Sequence, residues 1–127
     1  MGDRSNLYFR NGDSGVGVYA HWAGLQMAEA AAAVIANPAF KARVGDISYA
    51  TRIGVQTALE TLGVKSGEET GFGLWTSATG PDDFEYPFIV IDLETGDCFV
   101  TREWKNPTDS DKLANPTAES IAARMSH

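Results

Sequence analysis

The sequence predicts an α+β domain: a mainly antiparallel sheet with two helices on one face and a possible C-terminal helix. Three observations carry that expectation. Residues 5–22 alternate in period two around a turn, residues 25–62 hold two helical stretches, and PFIVIDLETGDCFV at 87–100 reads as two apolar strands around a Glu-Thr-Gly-Asp turn. The order of elements is ββααβββ, which suits two packed layers.

The first strand covers residues 5–10, with Leu7 and Phe9 on one face and Tyr8 and Arg10 on the other. Asn11-Gly12-Asp13-Ser14-Gly15 tolerates positive φ and reverses the chain into a second strand, Val16 to Trp22. Its alternation sends Val16, Val18, Ala20 and Trp22 toward the helices and Gly17, Tyr19 and His21 to the opposite face, beside Tyr8. An Ala-rich helix follows from Leu25 to Ala36, and Asn37-Pro38 ends or breaks it. Asp46 is placed to cap a second helix, which Gly63 stops. Its positions Ile47, Ala50, Val55, Ala58, Leu59 and Leu62 share an apolar side, while Tyr49, Arg52 and Gln56 project from another. Strands are expected at 71–78, 87–93 and 98–104. Residues 105–116 are rich in Asn, Pro, Thr, Ser and Asp and read as a linker; Thr117 then caps a short helix carrying Ile121 and Met125. The domain is therefore expected over 1–104, with 105–127 a mobile tail or one that docks on a neighbour.

At 127 residues the chain has the length of one domain, and 43% hydrophobic with 21% charged residues is ordinary for a globular protein. Ten Lys and Arg against 17 Asp and Glu give a formal charge of −7, which opposes duplex nucleic acid and anionic lipid. No apolar run is long enough to span a bilayer, and the start MGDRSN lacks the layout of a signal peptide. With the lone Cys98, these features place the expected location in the cytoplasm. No cofactor or metal is expected: two histidines and one cysteine make no zinc pattern, and Thr70-Gly71-Phe72-Gly73 lacks the residues of a phosphate loop.

The candidate chemistry gathers near the first hairpin. His21 reads either as a histidine hydrogen-bonded to a neighbour or as a general acid/base, with Asp3 or Glu68 as partner. Gly24 precedes a helix start, so the N–H groups of residues 25–28 are expected to be free for an anion or a cap, or else Gly24 only allows the turn. Arg4, with Asn6 beside it, can hold a phosphate or carboxylate through two hydrogen bonds. Arg52 shares a helix stripe with Tyr49 and Gln56, a set suited to a ring-and-anion ligand, or to plain solvation. Trp22 or Tyr49 would stack on the ring.

The segments GDRSN at 2–6, YAHWAG at 19–24, YATRI at 49–53, TGFGLW at 70–75 and PFIVIDLETG at 87–96 resemble a family of small uncharacterised bacterial and phage-type proteins. The likeness spans residues 2–101; VGDIS, ahead of the second helix, departs from it, and the tail lies outside it. It implies an accessory product of phage type and attaches no activity. The resulting expectation is a module that binds a compact anionic, nucleotide-like ligand through Arg4, Asn6, His21, Trp22, Gly24, Tyr49 and Arg52, sequestering a host signalling nucleotide. The alternatives are a hydrolase or lyase using His21, and a homo-oligomer built through the tyrosine-bearing sheet face or the C-terminal helix.

Overall fold

A computed structural model describes residues 3–126; Met1, Gly2 and His127 lie outside them. The chain forms a mixed α+β fold. Strands β1 (Ser5–Asn11) and β2 (Ser14–Ala20) make the expected hairpin, followed by helices α1 (Gln26–Ala36), α2 (Pro38–Ala42) and α3 (Ile47–Thr61). Strands β3 (Phe72–Thr76), β4 (Phe88–Asp92) and β5 (Cys98–Thr101) come next, then β6 (Lys112–Leu113) and α4 (Ala118–Met125). One sheet of six strands results, in the order β3-β2-β1-β4-β5-β6. Every pairing is antiparallel except the central one, where β1 runs parallel to β4 with Leu7 opposite Ile89.

Alternation sorts the side chains as the pattern predicts. Leu7, Phe9, Val18, Ala20, Ile89 and Ile91 turn to the helices and form the main core with Met27, Ala31, Val34, Ala50 and Ala58. Helix α3 lies close over the sheet because Gly54 has no side chain: a Cβ there would sit 2.5 Å from the Phe9 ring. Proline at 38 does end α1, but it also opens α2, since Asn37 accepts the Ala39 N–H at 2.9 Å and proline suits the first turn of a helix. Asp46 stands at the start of α3 as expected, yet its carboxylate pairs with Arg43 at 3.1 Å instead of capping.

The opposite sheet face carries a second, aromatic core. Tyr8 stacks on Trp75 with ring centroids 5.0 Å apart, and Trp104 meets both edge-on. Gly17 makes this possible, because a Cβ there would overlap the Trp75 indole. The tyrosine-bearing face expected as an oligomer contact is thus covered from within around Tyr8, by residues of β3 and of the segment after β5.

The tail is not a linker with a loose helix. β6 pairs with β5, Leu113 is buried, and α4 packs on α1 with Ile121 and Met125 in the main core. Thr117 caps α4 as expected, accepting the Ser120 N–H while Ser120 Oγ accepts the Thr117 N–H. Burial raises the Asp111 carboxyl, but Thr108, Thr101 and Arg124 outweigh it and hold Asp111 below its ordinary value. The boundary expected at 104/105 therefore divides nothing: one layered body extends through residue 126. Among the described residues, no helix is long and apolar enough to cross a membrane.

Candidate functional site

Strand β2 ends at Ala20, so His21 and Trp22 lie just beyond it, and Trp22 does not face the helices as its alternation suggested. The His21 N–H donates to the Gly71 carbonyl at 2.7 Å, which carries the β2–β3 pairing one residue further. The Trp22 ring then lies against Gly71, where any side chain would collide with it, and still leaves 66% of the residue exposed. Gly71 itself has φ +89°, a conformation glycine takes readily.

Beside this pair, irregular residues 79–87 are held over the start of β1. Arg4 Nε bonds Asp83 and Arg4 Nη1 bonds Glu85, both at 3.0 Å, while the Arg4 carbonyl accepts the Glu85 N–H at 2.9 Å. Asn6 is fully buried; its Nδ2 donates to the Asp83 carbonyl at 3.0 Å and its Oδ1 accepts from Trp75 Nε1 at 2.9 Å. Between these walls opens a cleft of about 630 Å³, lined by Arg4, Tyr19, His21, Trp22, Asp82 and Asp83, with residues 70–73 as its other side.

His21 Nδ1 lies 2.8 Å from the Tyr19 hydroxyl and Nε2 lies 3.5 Å from Arg4 Nη2. Guanidinium can only donate, so in a neutral ring the Arg4 contact fits the tautomer with Nε2 as acceptor and the proton on Nδ1, toward Tyr19. Neither Asp3 nor Glu68 bonds the ring: the Asp3 carboxylate sits at Gly24, and the Glu68 N–H bonds Ser66 in an exposed loop. The general acid/base pairs expected for His21 are therefore not assembled. Cys98 offers no nucleophile either, since burial pushes its thiol up to about 12.

Three further expectations change with the geometry. The N–H groups of Gln26, Met27 and Ala28 donate to the carbonyls of Ala23, Gly24 and Leu25, so the start of α1 does not offer the anion a free cradle. Gly24 has φ +54° and its N–H bonds the Asp3 carbonyl at 2.7 Å, which makes it the turn residue of the alternative reading. Asn6 spends both ends of its amide inside the protein and cannot reach a ligand without breaking them.

The fold also separates the two arginines. Arg52 lines a different, largely apolar hollow of about 780 Å³ between α3 and β3, which shares no lining residue with the Arg4 cleft. Its Nη1 bonds Gln56 at 2.6 Å, and Tyr49, also exposed, carries the Arg43 guanidinium 4.5 Å above its ring. Of the residues expected to gather, Arg4, His21 and Trp22 meet in one place; Tyr49 and Arg52 stand elsewhere. Asp82 and Asp83 join them unforeseen, because only the clamp by Arg4 and Asn6 brings that loop to the β1 start. No family model, no curated protein and no solved structure matches the chain.

Proposed function

We propose that the chain is a small-molecule binding module whose site is the cleft at Trp22, and that its ligand pairs a flat ring with a cationic or hydrogen-bond-donating group. The observation that carries this is the exposed Trp22 ring in one cleft with Asp82 and Asp83. An indole face supports stacking and cation–π contact, worth roughly 0.5–2 kcal/mol each. Arg4, the cation of the cleft, is already held by two carboxylates, so the local charge is negative and a phosphate is repelled. The ring of the expected nucleotide-like ligand is thus retained and its anionic end is not. The motif likeness supports a setting as an accessory product of phage type that sequesters a host metabolite and releases it intact.

Paired probes of one ring and opposite charge test this: tryptamine against indole-3-acetate, and adenosine against its 5′-monophosphate, by isothermal titration calorimetry. The expected result is binding of tryptamine or adenosine in preference to its acidic counterpart, weakened about tenfold in Trp22→Ala. Preference for the acids, or binding indifferent to Trp22→Ala, would overturn the reading.

A further inference from the structure

We infer that the exposed edge of β3, with the face of α3 above it, is the docking surface for a second copy of this chain, joined about a two-fold axis. The surface is separate from the aromatic face and the C-terminal helix, which are both engaged within the chain.

The backbone of β3 shows which groups are open. Gly71 accepts from His21 and the Ser77 N–H donates to Gly15 at 3.2 Å, so with the β2–β3 register the groups of Gly71, Gly73, Trp75 and Ser77 face β2. Those of Phe72, Leu74 and Thr76 then face outward. Thr76 is already occupied: its N–H bonds Thr79 Oγ1 at 3.1 Å and its carbonyl accepts the Gly80 N–H at 2.8 Å. Phe72 and Leu74 are left with two N–H groups and two carbonyls aimed at solvent. A copy related by an axis through Gly73 sets Phe72 opposite Leu74 twice and satisfies all four in antiparallel pairing. No lysine or proline guards this strand, GFGLWTS, whereas the far edge, β6, has two residues of which one is Lys112.

The side chains agree with the same axis. Leu74 is 60% exposed and borders the hollow formed with Val16, Val55, Leu59 and Val64. Along the outer stripe of α3, Arg52, Gln56 and Glu60 form a chain of hydrogen bonds with a cation at one end and an anion at the other. Among the described residues, neither Arg52 nor Glu60 has an ion-pair partner. An axis normal to the sheet reverses the direction of the helix, so a copy whose α3 lies level at Gln56 sets Arg52 of each chain opposite Glu60 of the other. The patch is therefore complementary to itself, and the contact closes on two copies.

Sedimentation and light scattering across concentrations up to millimolar, with circular dichroism to confirm folding, test the proposal. Wild type is expected to reach twice the 13.6 kDa chain mass, and Leu74→Lys to stay at the single mass. Arg52→Glu and Glu60→Arg should each raise the dimer dissociation constant by about tenfold or more, because each sets like charges together. The double exchange, Arg52→Glu with Glu60→Arg, should recover the wild-type value. A wild-type chain that remains single throughout would overturn the inference and leave this surface to a different occupant. A dimer insensitive to Leu74→Lys, or a double exchange no better than either single change, would overturn it equally.

Discussion

Asn6 shows how one side chain can set the position of a whole loop. Its amide joins the Trp75 indole on one side to the Asp83 carbonyl on the other, at a point where no water reaches it. Replacing it by alanine leaves a buried indole N–H and a loop carbonyl without partners, and an orphaned buried polar group costs about 1–3 kcal/mol. Asn6→Ala is accordingly expected to lower stability in urea unfolding by that amount, and to weaken tryptamine binding through the displaced Asp82 and Asp83. Unchanged stability would show that the amide bonds contribute nothing net. Residue type alone did not disclose this role: Arg4 and Asn6 stand out as polar residues near a strand start, but a guanidinium suited to a ligand carboxylate is equally suited to Asp83 and Glu85 of the same chain.

At the scale of elements, the contact of α3 with the sheet depends on Gly54. Helix propensity alone favours alanine there by about 1 kcal/mol. The Phe9 ring, fixed in the core, lies where the new methyl group would go, and overpacking of this kind costs about 1–3 kcal/mol. The steric effect wins, so Gly54→Ala should lower the melting temperature, whereas a rise would mean that the helix lifts away without loss. The helix itself was legible from its apolar stripe and flanking Asp46 and Gly63, as were the two hairpins from their turns. Helix α2 was not, because Asn37-Pro38 serves equally as a stop and as a start. Strand β6 is too short for any periodicity, and Leu113 gains its meaning only from pairing with β5.

For the whole molecule, composition foretold a solid core but not its second part. Tyr8, Trp75, Phe88 and Trp104 come from distant stretches, and the sequence contains no signal that they meet across one sheet face. The same holds for the tail, whose polar residues hide the buried Leu113, Ile121 and Met125. Removing residues after Lys105 is therefore expected to unfold the chain, not merely to change its assembly. Loss of the cooperative thermal transition in the shortened protein would bear this out; a retained transition with native melting temperature would show the core to be complete without α4.

The parallel pairing of β1 with β4 has a consequence for how the protein is made. A ribosome releases β1 first, yet the strand that flanks it in the middle of the sheet follows roughly eighty residues later. Until then the initial hairpin has a bare inner flank, and Asp83 and Glu85, which the Arg4 clamp grips, emerge only a few residues ahead of that strand. Synthesis must pass Asp83 and Glu85 before the cleft can form, so a product terminated ahead of Asp82 carries the tryptophan without the acids that would make it useful.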